Sequence, residues 1–524
     1  MEDGSGKRPN VLLITTDQQR FDSLGCNGNT VCRTPAIDSL AATGVRYERA
    51  HVQNVLCMPS RATIVTGQHP GTHGVWNNGV CLPRDAPSVA HALKEAGYAT
   101  SYIGKMHFET SRPVFSEHLR SMGELPVMTT QHIDINGEPV MWIVPTEDDL
   151  QGPHRGFDLI EHCNHFVSGH HALWLREQLG IEELNRVLVE TARAFRDGFG
   201  GDTNALQSVY SILPAELHAS TWIVDRTIAW LDRLPAGESF FSWVSFDDPH
   251  HPFNPPAEYG RRYDWRSMPL PAARIGTRDA IAAELAGKPW QYGAYWRGEY
   301  GSHEGSLGGF TLADFTDDQV REMTALTYGM VELIDDNIGR LLRYLVSRRL
   351  DKDTHIFFTT DHGELLGDHG LILKGPFHLD GLVRVPLIWR EPDRAARTVT
   401  DPVGLVDLAP TICRAAGLDV PEWMDGSPLP VADGSRERVV TVFDSVERSD
   451  LVLRSMYRDG WFVTAYPRME GVGELYDMRE DPQQFANLWD DPARRKLRDD
   501  LVGDLFENIV EDPRPERLRW WAIA

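Results

Sequence analysis

The stretch Asn10–Thr16, NVLLITT, is apolar at almost every position and stops at Asp17. A strand with one wet face would alternate, so an unbroken run of this length belongs to a strand buried on both sides, as in a parallel sheet covered by helices. His355–Thr360, HIFFTT, repeats the arrangement and stops at Asp361. Two buried strands that each end in a carboxylate point to an α/β fold with its ligands at the carboxyl ends of the strands.

The rest of the chain continues the alternation. A helix is expected over Pro35–Ala42, stopped by Gly44, then a strand near Tyr98–Ile103, a helix over Leu217–Leu231 and a strand over Phe240–Phe246. A long amphipathic helix is expected over Asp317–Val346, and Val385–Trp389 supplies a further strand. Residues 1–435 therefore read as one catalytic-sized unit, a large, mostly parallel sheet sandwiched by helices.

After Arg436 the strands shorten and alternate. Leu451–Tyr457 and Trp461–Tyr466 are joined across Arg458-Asp459-Gly460, a hairpin signal. Residues 436–524 are expected to form a smaller antiparallel α+β domain with a closing helix over Arg494–Ile509. Trp520 and Trp521 in the tail are costly to leave in water, which predicts packing on the chain itself or in a homo-oligomer, dimer or tetramer. Gly123–Asp149, with its Asn136-Gly137 turn signal, and Tyr259–Phe315, rich in Gly, Trp and Tyr, fit neither pattern. They read as insertions, about 123–150 and 259–315, that wall a site.

Composition narrows the partners. Lys and Arg number 52 against 76 Asp and Glu, a net charge of -24 that repels nucleic acid and anionic membranes. A small anionic substrate stays open, because a pocket's local field can oppose the mean field. No apolar run approaches the ~20 residues that cross a bilayer. Cys26, Cys32, Cys57, Cys81, Cys163 and Cys413 are too sparse for a disulfide framework and read as free thiols. Met1–Pro9 is polar and leads straight into a strand, so a cytoplasmic location is expected, although a processed periplasmic form would read the same.

Cys57-Met58-Pro59-Ser60-Arg61, followed by Thr66-Gly67, sets a thiol at the start of a helix, with Pro59 tolerated in the first turn. Unpaired N–H groups and the positive dipole end favour an anion there, and Arg61 adds a fixed cation. The run resembles the Cys-x-Pro-x-Arg signature of sulfatases, hydrolases of sulfate esters in the alkaline phosphatase superfamily, whose cysteine is converted to formylglycine by a maturation enzyme. Companion motifs resemble the same family in order from Pro9 to Leu488, most weakly between Phe108 and Leu213.

Asp17 and the Asp361-His362 pair resemble the family's divalent-metal ligands, with Gln18 where many members carry a second acid. Gly104-Lys105-Met106-His107 resembles the element whose lysine and histidine contact the nucleophile and the sulfuryl group. Pro249-His250-His251-Pro252-Phe253 resembles the segment bearing a further substrate-contacting histidine, assigned to His250 rather than His251. Lys374 resembles the lysine that reaches the leaving-group oxygen, and Leu475-Tyr476-Asp477, Asp481-Pro482 and Asn487-Leu488 resemble a C-terminal structural element.

The resemblance implies an alkaline phosphatase-like fold and one divalent ion, Ca2+ or Mn2+, held by Asp17, Gln18, Cys57, Asp361 and His362. It implies catalysis by Cys57, Arg61, Lys105, His107, His250 and Lys374 on a small sulfate ester. In the implied mechanism a hydrated aldehyde at position 57 attacks sulfur, and its second hydroxyl, deprotonated with help from His107, lets sulfate depart without attack by water. Positioned cations suit the loose transition state of such a transfer.

Other readings stand beside it. Gln18 and His362 also fit the Asp, Gln, Asp, His shell of phosphonate monoester hydrolases and phosphodiesterases of the same superfamily. Against them, Ser60 replaces the alanine of that group's signature, and Lys105 and His107 stand where it carries hydroxyl residues. A reading of a different class is a sulfate-ester-binding protein whose Cys57 stays an unmodified, buried thiol.

Overall fold

The computed structural model describes residues 8–83, 85–108, 131–133, 139–143, 155–164, 167–197, 199–300 and 311–511. Most of Gly123–Asp149 and the Trp520-Trp521 tail lie outside these residues. On either side of Asn136-Gly137, Gln131–Ile133 and Pro139–Ile143 pair antiparallel, as a hairpin requires.

The apolar runs become the middle of an eight-stranded sheet. Its strands are β1 (Asn10–Thr16), β2 (Val45–His51), β3 (Ala99–Gly104), β4 (Leu159–His162), β5 (Phe240–Ser245), β6 (Thr354–Thr360), β7 (Arg384–Arg390) and β8 (Arg397–Gly404), in the order β8-β2-β7-β6-β1-β5-β3-β4. β7 alone runs antiparallel to its neighbours. Successive side chains of a strand point to opposite faces, so Val11 and Leu13 enter one core and Leu12 and Ile14 the other. Both faces must then be covered. Helices α1 (Pro35–Thr43), α4 (Ala219–Leu231) and α7 (Asp317–Ser347) cover one through Ile37, Trp222 and Ile334. Helices α2 (Cys57–Thr66), α3 (Val89–Glu95) and α8 (Leu408–Ala415) cover the other through Ile64, Leu93 and Ile412.

A second sheet follows, β9 (Arg438–Asp444), β10 (Val452–Arg458), β11 (Trp461–Ala465) and β12 (Gly473–Asp477), antiparallel throughout in that order. Arg458 pairs with Trp461 across Asp459 and Gly460, whose φ values of 51° and 79° are what a tight hairpin turn needs. One face contributes Phe443, Leu453 and Phe462 to the same core as Val11, while the other is closed by Leu501 and Leu505 of α9 (Arg495–Asn508).

The insertion between Tyr259 and Phe315 folds partly into α5 (Arg278–Leu285) and α6 (Trp290–Trp296). Tyr292, Tyr295 and Trp296 of α6 are core residues. Polar contacts from this region tie the two sheets together: Gln291 Nε2 donates to Tyr466 Oη at 2.8 Å, and Lys288 Nζ to Tyr476 Oη at 3.1 Å. From the loop before β7, Asp380 N–H donates to Gln484 Oε1 at 2.7 Å. Among the described residues no helix is long and apolar enough to cross a membrane, and no disulfide joins any of the six cysteines.

Candidate functional site

Parallel strands deliver their carboxyl ends to one edge, and the chemistry collects there. β1 and β6 are neighbours, with Thr16 opposite Thr360, so the next residues, Asp17 and Asp361, arrive side by side. β5 leads to Asp247, Asp248 and His250, and β3 to Lys105 and His107. Gly104 has φ +112° and lies so close to β5 that a Cβ would stand 1.8 Å from Ser245 O, so only glycine lets Lys105 leave the sheet there. Gln18 and His107 take φ values of 59° and 53°, uncommon for residues with a side chain, as the chain turns sharply back over the edge.

α2 is buried along its whole length, with Cys57 as its first residue. Asn54 Oδ1 accepts from Leu56 N–H at 2.9 Å and Asn78 Oδ1 from Met58 N–H at 3.0 Å, which holds the start of the helix. Gly67, with φ 65°, closes it.

Asp17, Cys57, Asp361 and His362 each bring one donor atom within 4.8 Å of the other three, and all are buried. Cys57 Sγ is 3.1 Å from His362 Nε2 and 3.8 Å from Asp17 Oδ1. His362 Nδ1 faces Gly363 O at 2.9 Å, which leaves Nε2 as the ligating nitrogen. Two carboxylates, an imidazole and a sulfur at this spacing fit a divalent cation.

Arg61 braces the two acids. Its Nε donates to Asp361 Oδ2 at 2.8 Å and its Nη2 to Asp17 Oδ2 at 3.0 Å. Its Nη1 reaches Lys105 O at 2.7 Å and Ser245 Oγ at 2.8 Å. Lys105 Nζ lies 2.5 Å from Asp17 Oδ2 and 3.9 Å from Cys57 Sγ. Lys374 Nζ donates to Gln18 Oε1 at 2.7 Å and lies 3.0 Å from His250 Nε2. His250 and His251 stack with ring centroids 4.0 Å apart, and His251 Nδ1 is 3.2 Å from Gln18 Nε2.

Arg61, Lys105 and Lys374 bring three buried cations to this edge, in a chain whose net charge is -24. An anionic substrate thus finds cationic partners here despite the mean field. Burial, then the Asp17 carboxylate, pushes the Cys57 thiol up to about 12. Burial, then the charge of Lys105, holds the His107 imidazole well below its usual range, and its Nδ1 is buried with no hydrogen-bond partner. Both effects favour the uncharged imidazole.

The candidate catalytic and metal-ligand residues Asp17, Gln18, Cys57, Arg61, Lys105, His107, His250, Asp361, His362 and Lys374 lie at this edge, with His251 stacked on His250. Two further residues join them. Asn78 holds the start of α2 while its Nδ2 stays buried and unpartnered; no local pattern marks it. Glu364 accepts from Gln18 Nε2 at 2.5 Å, and its place directly after Asp361-His362-Gly363 was the only signal.

Comparison with known proteins agrees with the geometry. The sulfatase family model matches residues 9–114 and 164–418. A second model, N-sulphoglucosamine sulphohydrolase, C-terminal, matches residues 367–511. The chain is 27% identical to an uncharacterized sulfatase, YidJ, of Escherichia coli, over 99% of this chain and 90% of that one. It is 26% identical to an arylsulfatase of Clostridium perfringens, over 96% and 94%. The crystal structure of a phosphonate monoester hydrolase of Agrobacterium radiobacter superposes with a TM-score of 0.74 at 26% identity, covering 95% of each chain. With the family match spanning most of the chain and its cysteine, acids and cations gathered at one sheet edge, the protein belongs to the sulfatase family of hydrolases, in the alkaline phosphatase superfamily.

Proposed function

We propose that the protein hydrolyses sulfate monoesters of the kind arylsulfatases cleave, after Cys57 has been converted to formylglycine by a maturation enzyme. The observation that carries this reading is the position of Cys57, first residue of α2, with its Sγ 3.8 Å from Asp17 Oδ1, 3.1 Å from His362 Nε2 and 3.9 Å from Lys105 Nζ. When present, the divalent ion supplies a Lewis acid and the hydrated formylglycine the attacking hydroxyl.

The chain's own residues do the rest. Asp17, Asp361 and His362, with the group at position 57, would hold the ion, while Gln18, also expected among the ligands, turns its Oε1 to Lys374. Arg61 keeps the two acids in place, and Lys105 lies where a sulfuryl oxygen would sit against the nucleophile. Lys374 and His250 face the leaving-group side, where one of them gives a proton to the departing oxygen. Neutral His107 accepts a proton from the group at position 57 as sulfate departs. Because these side chains are buried, their charges act in a low dielectric and need no reorganisation during the reaction.

Peptide mass spectrometry on active preparations, with metal analysis of the same sample, tests the reading. Formylglycine at position 57 and one divalent ion per chain are expected, with kcat/KM for an aryl sulfate exceeding that for a matched phosphodiester by at least about tenfold, an advantage of roughly 1.4 kcal/mol in transition-state binding. Full activity with an intact thiol would refute it. A second reading, hydrolysis of phosphonate monoesters and phosphodiesters, is favoured by the neutral amide of Gln18 beside the acids and by the likeness to the Agrobacterium enzyme. A matched aryl phosphonate in the same assay separates the two.

A further inference from the structure

The loop between β6 and β7 returns to the active edge twice, first with Asp361 and His362 and again with Lys374. Glu364 sits at its neck, 2% exposed. Its Oε1 accepts from Leu366 N–H at 2.8 Å and from Leu373 N–H, closing the loop immediately before Lys374. Its Oε2 accepts from Gln18 Nε2.

A carboxylate can only accept hydrogen bonds, so Glu364 settles which way the Gln18 amide points. The NH2 must face Glu364, and Oε1 is left for Lys374 Nζ at 2.7 Å. The second acceptor is settled in the same way. His250 Nδ1 lies 2.6 Å from His251 O, a carbonyl that can only accept, so Nδ1 carries the hydrogen, and Nε2, 3.0 Å from the Lys374 ammonium, is the accepting nitrogen. An ammonium, which only donates, is thereby aimed by two fixed acceptors.

We propose that Glu364 is a positioning residue for the leaving-group end of the site: by orienting the Gln18 amide and closing the loop ahead of Lys374, it aims the Lys374 ammonium at the departing oxygen. The proposal rests on the sulfatase reading for the identity of that oxygen. It extends that reading by assigning the lysine's direction to a residue outside the Asp17, Cys57, Asp361 and His362 group.

The test is an exchange of hydrogen-bonding roles. In Glu364→Gln the new amide must offer its carbonyl to the Leu366 and Leu373 N–H groups, so its NH2 meets Gln18. The Gln18 amide then turns over and presents donors to the ammonium. Adding Gln18→Glu restores an acceptor for both neighbours. Aryl sulfates with leaving groups of graded acidity, with metal content measured for each variant, read the outcome.

Because a well-placed proton donor is worth ~10²–10⁴-fold, Glu364→Gln is expected to slow kcat about 100-fold for phenyl sulfate and less than about fivefold for a dinitrophenyl sulfate. KM should stay within about twofold, and the double variant, although it alters a residue of the expected metal shell, should regain at least about tenfold over the single variant on phenyl sulfate. A loss equal across leaving groups, a loss of bound metal in the single variant, or no recovery in the double variant would overturn the proposal. Should the single variant not fold, the double variant decides: folded and active supports it, unfolded overturns it. A parent enzyme active on aryl phosphonates but not sulfates would overturn the functional reading alone, and the same comparison on phosphonates would still decide the role of Glu364.

Discussion

Cys57→Ala is expected to lower kcat by at least about 10⁴-fold, a barrier increase of about 5.5 kcal/mol, while leaving the fold intact. The residue is buried at the first position of α2, where alanine is a good helix former, and only a sulfur atom is removed from the packing. Lys105 and Lys374 remain to bind the anion, so an inactive variant that still binds an unreacted ester is the specific outcome. Single-turnover rates and thermal unfolding of parent and variant check it. Near-normal rates would remove Cys57 from the chemistry altogether.

Arg61→Ala is expected to be the most damaging single change to stability near the site, by about 3–5 kcal/mol in denaturant titrations, because it takes from the buried Asp361 its guanidinium partner and from Asp17 one of its two cations. The guanidinium meets Asp17, Asp361, Lys105 O and Ser245 Oγ at once, at 0% side-chain exposure. Arg61→Lys should recover little, since one ammonium cannot span both carboxylates. Raising the concentration of the divalent ion should recover part of the loss in either variant, because a cation between Asp17 and Asp361 binds only the folded state. Stability within about 1 kcal/mol of the parent, the range of a surface ion pair, would show that the acids do not depend on Arg61.

Much of this architecture could be read from residue patterns, for identifiable reasons. NVLLITT and HIFFTT announce buried strands because no wet face interrupts them, and Arg458-Asp459-Gly460 marks its hairpin because few residues accept positive φ. What a pattern cannot carry is partnership. That β1 pairs with β6, bringing Asp17 beside Asp361 across most of the chain, follows from the order of the sheet. The reversal of β7 is equally silent, since an apolar run has the same composition in either direction.

The site shows the same division. Its motif residues were legible because their chemistry is local: a thiol before a proline and an arginine, an acid at the end of a strand. Glu364 was not, because its role depends on a loop closing so that the N–H groups of Leu366 and Leu373 converge on one carboxylate. In the aromatic insertion the direction of the rings was equally unmarked. Tyr292 and Tyr295 turn inward to pack on Phe377, three residues after Lys374, with centroid separations of 4.8 Å and 5.3 Å.

The bonds from Gln291 to Tyr466, from Lys288 to Tyr476 and from Asp380 to Gln484 carry a consequence for shortened forms of the chain. They run from the segments that support the leaving-group lysine into the last sheet, with no linker between. A nonsense codon or a protease cut between β8 and β9 would therefore strip Gln291, Lys288 and Asp380 of these partners, and a large sheet released alone is expected to hold its leaving-group lysine less firmly.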